Sequence, residues 1–329
     1  VKIGVVRFSS IGDIVLTTPL IRVIKENIKN AEIIFLTKRE YSELLSTNPN
    51  VSKIISFDEG NFTKFLSTVR KEKFDLFIDL HLIPRSILTI GFAQSRKRVF
   101  YKKQRLARQF MVNFKMGRPT RHVIDLYLDC LKPFSLKIHN KNPEIFLTQP
   151  MENGVKTFLK KNRIKKPVVV IAPGAKRYTK RWEAENFGNL CNLLIERMNT
   201  EIFILGSDED KGVAEDVKSV IRHRVYDLTG RTSLLQTAAF LKECSVLITN
   251  DTGPMHIATA VGTPVVAIFG PTVPEFGFAP YGERNRTIQI PLPCRPCSLH
   301  GSSECKKGHF KCMRFIKPDD VYDKVVGVL

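Results

Sequence analysis

Leu247-Ile248-Thr249-Asn250-Asp251-Thr252-Gly253-Pro254-Met255-His256 runs from an apolar stretch through a tight turn straight into a helical pattern. Pro254 suits the first helical position because it has no N–H to orphan, and Gly253 lets the backbone approach a ligand closely. The N–H groups from Thr252 onward, added to the helix dipole, make a site suited to a diphosphate. The same turn also reads as an ordinary αβ connection capped by Asp251 or Thr252. Either way, a buried strand feeding directly into a helix is the repeating unit of a parallel α/β sheet.

Working outward, the chain repeats that unit. Toward the N-terminus the spacing predicts strands at Lys2–Phe8, Glu32–Leu36, Lys53–Ser56, Leu76–Leu80 and Arg98–Tyr101, with helices at Ile14–Ile28, bent or restarted at Pro19, and at His122–Leu131. Around the opening stretch it predicts a helix at Glu152–Asn162, then strand Val168–Ala172, helix Ala184–Met198, strand Glu201–Leu205, helix Glu209–Ile221, strand Arg224–Asp227, helix Ser233–Glu243, strand Val246–Thr249, helix Pro254–Val261 and strand Pro264–Phe269. Three prolines and weak periodicity between Lys132 and Pro150 place a linker there. The expectation is two Rossmann-like lobes, 1–150 and 151–329, their parallel sheets facing an interdomain cleft and the terminal helix packing back on the first lobe.

A length of 329 residues fits two such domains. With 43% apolar and 26% charged residues the composition is that of a globular protein, and no apolar run is long enough to span a bilayer. The first residues lack the order of a signal peptide, so a cytosolic location is expected. The net charge of +20 is uneven: residues 1–150 carry 26 Lys/Arg against 13 Asp/Glu. Between Asp79 and Asp125 lie eleven Lys/Arg and no acid, which reads either as a surface for phosphate-rich partners or as a solvated basic face. Cys130, Cys191 and Cys244 sit singly in apolar patterns, as buried reduced thiols do.

Two further segments carry chemistry. Ser9-Ser10-Ile11-Gly12-Asp13 follows the first strand of the first lobe, where ligands of open α/β sheets bind. Asp13 there is either a helix cap or a carboxylate that takes a proton from an acceptor hydroxyl. Pro173-Gly174-Ala175-Lys176-Arg177-Tyr178-Thr179-Lys180-Arg181-Trp182 follows the first strand of the second lobe. Lys180 is positioned to neutralise a leaving diphosphate, and Trp182, the sole tryptophan, to anchor the next helix. A surface loop with stray lysines is the plainer reading of the same stretch.

Together, Arg7-Phe8-Ser9-Ser10-Ile11-Gly12-Asp13, Pro173-Gly174-Ala175 with Lys180-Arg181-Trp182, Asn250 through His256, Phe269-Gly270-Pro271-Thr272, Asp79-Leu80-His81 with Arg85-Ser86, and Arg121-His122 give the chain its character. It resembles, nearly end to end, the bacterial ADP-heptose:lipopolysaccharide heptosyltransferases, metal-independent inverting enzymes of the GT-B fold. The resemblance is nearer the type II than the type I enzymes. It implies Asp13 as general base and Lys180 as pyrophosphate stabiliser. It also implies donor contacts at Ser9, Gly12, Lys176, Asp251, Thr252, Gly253, Pro254 and His256, with Glu209 or Asp210 on the ribose. Acceptor contacts are implied at Ser10, His81, Arg85, Arg118, Arg121 and His122. Glu183 departs from the family, which often has proline there.

The resemblance further implies ADP-heptose as donor, the Kdo-lipid A inner core as acceptor, and a peripheral place on the inner face of the cytoplasmic membrane. No cofactor is expected for catalysis: a lysine and a helix terminus serve the diphosphate, and no Asp-x-Asp motif ends a strand. Separately, Cys294-x2-Cys297-x7-Cys305-x6-Cys312 has four thiols in a Pro- and Gly-rich loop, a possible structural zinc or iron site or a loop of free thiols, with His300 and His309 nearby. The alternatives are a related transferase for another sugar or a protein acceptor, and, from charge alone, a nucleic-acid binder. No nucleic-acid recognition motif accompanies that charge, so no nucleic-acid partner is expected.

Overall fold

The computed structural model describes residues 1–117, 119–164 and 167–329. Contacts divide the chain into two units, Val1–Gln104 with Arg121–Phe146, and Arg105–Thr120 with Leu147–Leu329. In chain order the elements up to residue 146 are β1 (Lys2–Val6), α1 (Ile11–Val15), α2 (Thr18–Asn27), β2 (Glu32–Lys38), α3 (Arg39–Ser42), β3 (Lys53–Phe57), α4 (Phe62–Lys71), β4 (Phe74–Asp79), α5 (Pro84–Phe92), β5 (Ser95–Phe100), α6 (Arg105–Phe114) and α7 (Val123–Leu128). Of these, α6 counts with the second unit.

The first unit's sheet has the order β3-β2-β1-β4-β5, and the pairings are parallel. β1 is central and buried, as a strand covered on both faces must be. Phe8, Phe57, Phe65 and Phe77 dominate the core on one face, with Phe8 and Phe57 edge to face at 4.9 Å. The helix expected over Ile14–Ile28 is two: α1 stops at Val15, and α2 starts afresh with Pro19 in its first turn. The expected His122–Leu131 helix tightens after Leu128 into 3-10 turns over Asp129–Phe134, which contain Pro133.

The second unit continues with α8 (Gln149–Lys161), β6 (Val168–Ala172), α9 (Ala184–Met198), β7 (Glu201–Ile204), α10 (Lys211–Val220), β8 (Tyr226–Asp227), α11 (Leu234–Lys242), β9 (Val246–Asn250), α12 (Gly253–Ala260), β10 (Val265–Phe269), β11 (Arg286–Gln289), α13 (Lys311–Arg314) and α14 (Pro318–Val326). Its sheet order is β11-β10-β9-β6-β7-β8, again with parallel pairing. The order turns back at β6 and β9, so their carboxyl ends form the switch point where such sheets bind ligands. β6, β9 and β10 are buried at every position, which is why their apolar runs stand out in the sequence.

Trp182 is 1% exposed, meets Phe187 of α9 at 4.9 Å, and donates its indole N–H to the Ile316 carbonyl at 3.1 Å. Truncating it would cost about 3–5 kcal/mol. The terminal helix α14, expected against the first lobe, buries Val321 and Val325 in the second unit's own core. Among the described residues no helix is long and apolar enough to cross a membrane.

Candidate functional site

In the first unit the turn after β1 is organised by a buried arginine. Arg7, 8% exposed, donates from Nη1 to the Leu80 carbonyl at 2.7 Å and from Nε to the Ser9 carbonyl at 2.7 Å. Its Nη2 lies 2.7 Å from Asp13 Oδ1. The other Asp13 oxygen accepts from the Ser10 N–H at 3.2 Å and the Ser10 hydroxyl at 2.9 Å. Burial alone would push the Asp13 carboxyl up, but the Arg7 guanidinium and the Ser10 bonds overcome this and hold it below its ordinary 3.8. Asp13 is thus both the third residue of a helix cap and an ionised carboxylate. The cap expected at Asp13 itself is instead Ser10, and Asp13 completes the capping box three residues on.

The remaining first-unit residues divide sharply. His81 is 8% exposed, its Nδ1 accepts from the Phe8 N–H at 3.3 Å, and burial followed by the Arg7 charge pushes its pKa down to about 3, so it stays neutral. Asp79, fully buried, accepts from the His81 and Leu82 N–H groups at 2.7 and 2.9 Å and from the Ser86 hydroxyl at 2.8 Å, fixing the loop into α5. His122 caps α7, its Nδ1 accepting from the Ile124 N–H at 3.2 Å. Arg121 pairs with Asp129, and Arg85 is exposed, 3.9 Å from Glu59. Ser10 is exposed, Ser9 partly so, and Gly12 is buried in α1. Arg118 lies outside the described residues.

In the second unit the loops after β6 and β9 converge. Asn250, the last residue of β9, donates its amide to the Pro173 carbonyl at 2.8 Å and accepts from the Trp182 N–H at 3.0 Å. That one side chain closes the loop from 173 to 182 over the strand end. Lys180 Nζ thereby reaches Asp251 Oδ2 at 2.7 Å, and the Thr272 hydroxyl donates to the same oxygen at 2.7 Å. Burial would raise the Asp251 carboxyl, but Lys180, then Thr272 and His256, hold it below its ordinary 3.8. Thr252 is the N-cap of α12, Pro254 lies in its first turn, and the first N–H groups of the helix have no intrahelical partner. His256 is buried in α12, and Lys176 is exposed.

Asp210 lies in the 3-10 turn after β7 and accepts from the Ser207 N–H and hydroxyl, both at 2.8 Å. A Cβ on Gly174 would stand 2.1 Å from Asp210 Oδ1, so only glycine lets the β6 loop lie against that carboxylate. Glu209 points into solvent as an exposed residue of the same turn.

The cysteine loop adds a feature the sequence did not signal. Ser302 donates its N–H to the Thr179 hydroxyl at 2.8 Å, and the Thr179 N–H donates back to the Ser302 carbonyl at 3.1 Å. A Cβ on Gly301, whose φ is +80°, would stand 2.8 Å from Lys180 Cγ. The loop therefore lies directly on the aliphatic stem of Lys180. Arg295 anchors the other end, donating to the Thr272 carbonyl at 2.9 Å and the Gln289 side chain at 2.9 Å. The four cysteines are free thiols. Burial, with Cys294, Cys297 and Cys305 adding to it and Arg295 opposing, pushes the Cys312 thiol up to about 11. Among the described residues no three His, Cys, Asp or Glu come together as metal ligands, so the thiols as they lie do not form a completed metal site.

Comparison with known proteins agrees with this geometry. Residues 62–307 match glycosyltransferase family 9 (heptosyltransferase). Lipooligosaccharide heptosyltransferase 2 of Campylobacter jejuni is 27% identical over 325 residues, covering 96% of this chain and 95% of that one. A family 9 glycosyl transferase from Veillonella parvula superposes with a TM-score of 0.82 at 22% identity, over 99% of this chain and 96% of that one. The Escherichia coli ADP-heptose heptosyltransferase II does so with a TM-score of 0.78 at 20% identity, over 100% and 98%. With two parallel Rossmann-like sheets of the GT-B class and most of its length inside the matched pattern, this chain is a glycosyltransferase and belongs to glycosyltransferase family 9.

Proposed function

We propose that this chain is an inverting, type II-like heptosyltransferase that moves heptose from ADP-heptose to the inner core of lipopolysaccharide, on a Kdo-lipid A acceptor, at the cytosolic face of the inner membrane. The observation that carries the reading is Lys180 held at the mouth of α12 by Asp251. As the sugar–phosphate bond breaks, negative charge grows on the diphosphate, and an ammonium beside a helix N-terminus stabilises it. Asp13, ionised by Arg7, takes the acceptor hydroxyl's proton while that oxygen attacks the anomeric carbon from the face opposite the leaving group. Such a displacement inverts the anomeric centre. Lys180 and the helix terminus supply the charge a divalent ion would otherwise bring, so catalysis needs no cofactor.

Thr252, Gly253 and Pro254 line the diphosphate site, with Lys176 and His256 beside it and Glu209 or Asp210 on the ribose. Ser9 and Gly12 contact the donor from the β1 turn, while Ser10, Arg85, Arg118, Arg121 and His122 meet the anionic acceptor. His81 serves by supporting the Phe8 backbone rather than by charge. A donor screen against lipid A core acceptors of increasing length tests the reading. Transfer from ADP-heptose to a Kdo-bearing acceptor is expected; transfer only from another nucleotide sugar, or only to a protein, supports the related-transferase alternative instead. We further propose a structural zinc or iron in the cysteine loop, which would have to draw the thiols together from where they lie; Cys294 Sγ already stands 3.8 Å from His309 Nε2. Metal analysis of the purified chain tests this: neither metal present refutes it.

A further inference from the structure

Helix α5 buries Ile90 in the core but carries more apolar surface outward than inward. Its buried positions include Ser86 and Thr89, both 0% exposed, and their hydroxyls are satisfied at 2.8 Å by Asp79 and by the Arg85 carbonyl. Its solvent face carries Pro84, Ile87, Leu88, Gly91 and Phe92, spaced as one stripe along a helix. Ile87, Leu88 and Phe92 are 50%, 44% and 45% exposed. Water alone does not explain such a stripe: contiguous exposed apolar side chains mark an interaction surface.

What surrounds the stripe identifies the occupant. Beside α5 runs β5, the edge strand of the sheet, whose alternate residues Arg96, Arg98 and Phe100 are exposed on one side, Arg96 3.4 Å from Asp75, while Lys97 lies over the Phe134 ring. Between the end of α4 and the end of α5 lies an open groove of about 500 Å³ whose walls include Arg70, Gly91, Phe92 and Arg98. Cations thus rim an apolar face, and from Leu80 to Ile124 the sequence contains no acid. This is the pattern of a segment that lies in the plane of an anionic bilayer: apolar side chains enter the acyl boundary while arginines meet the phosphates.

We infer that the α5 stripe and the β5 cations form the surface by which this chain docks on an anionic phospholipid bilayer. Ile87, Leu88 and Phe92 enter the interface, and Arg70 and Arg98 hold a headgroup phosphate in the groove beside Phe92. The inference deepens, and rests on, the proposed membrane location.

The test is sedimentation of the full chain with vesicles of phosphatidylcholine alone or mixed with phosphatidylglycerol. Wild type should sediment with the mixed vesicles, more weakly with phosphatidylcholine alone, and release as salt rises. Ile87→Gln/Leu88→Gln/Phe92→Gln should lower partitioning about tenfold or more, and Arg70→Gln/Arg98→Gln should lower it on mixed vesicles only. A far-ultraviolet circular dichroism spectrum and a urea unfolding midpoint matching wild type report that both variants are folded. Should the triple variant misfold, Leu88→Gln alone gives the smaller loss of the same sign. Wild type failing to sediment with any vesicle would overturn the membrane location itself. Wild type sedimenting while folded variants sediment equally well would overturn this surface alone, as would indifference to phosphatidylglycerol.

Discussion

Asp13 and Asp251 each stand at a turn leaving a central strand, and each is kept ionised by an adjacent cation, buried Arg7 or partly buried Lys180, yet the two cations are held differently. The Arg7 guanidinium is fixed by the Leu80 and Ser9 carbonyls as well as by Asp13. Lys180 ends in a single ammonium on Asp251, at the tip of a flexible stem over which the cysteine loop lies. A planar guanidinium engaged at three points fixes a carboxylate in place and charged, whereas an ammonium is a point charge with three rotatable donors. Under the proposed function the same strand-end device would serve two tasks, proton removal in one unit and charge stabilisation in the other.

The largest effect that would sharpen this contrast is at Asp13. Asp13→Asn keeps the shape of the turn and removes the base, and kcat should fall by about 10²–10⁴. Single-turnover transfer measures it, and a near wild-type rate would remove Asp13 from the chemistry. Next comes Lys180→Met, expected to lower kcat/KM by about 10²–10³ and to leave Asp251 buried without its partner. That variant should be destabilised by on the order of 3 kcal/mol in urea unfolding. Adding Asp251→Asn should recover stability but not activity; recovery of both would make the pair a purely structural bridge.

A third prediction concerns pH. Because Asp13 is held below 3.8, its pair with Arg7 contributes stability fully above that value and loses it only as pH falls below it. The acid limb of kcat/KM should accordingly lie below the ordinary carboxylate range. In Arg7→Met, burial acts unopposed by the guanidinium, so the limb should move upward toward neutrality. A limb that stays put would mean Arg7 does not set the charge of Asp13. The smallest effect is expected at the loop over Lys180: Thr179→Val removes the hydroxyl bonds to Ser302 while keeping the backbone one, and should reduce kcat/KM for the donor by roughly 3- to 10-fold, the equivalent of about 1 kcal/mol. Thr179→Ser should restore it, and an unchanged rate would detach the cysteine loop from Lys180.

What was readable in the sequence follows from how each element is buried. Val168–Ala172 and Ala184–Met198 have the bounds the pattern predicts, because a fully covered strand and a long two-faced helix advertise themselves in apolar spacing. Helix α5 has no counterpart in the sequence reading, since Ser86 and Thr89 join Ile90 on the inward face while Ile87, Leu88 and Phe92 face outward, which blurs the apolar spacing. α4 and α6 were also missed, and in α6 the exposed Leu106, Phe110 and Phe114 blur the periodic signal in the same way.

At the candidate site, the positions of Asp13, Lys180 and the α12 turn just past strand ends are legible in the sequence. Their partners are not. Arg7 looks like an ordinary strand-end residue until the Leu80 and Ser9 carbonyls are brought around it. Asn250 and the Thr179–Ser302 pair act across 77 and 123 residues of sequence, distances over which spacing says nothing. The neutral, buried state of His81 likewise depends on neighbours that only folding assembles.

The division of labour between the two turns is tested most directly by titrating ADP into Asp13→Asn and Lys180→Met side by side in a calorimeter. The account predicts an affinity close to wild type for Asp13→Asn and about tenfold weaker or more for Lys180→Met. Equal losses in both, or a loss confined to Asp13→Asn, would contradict it.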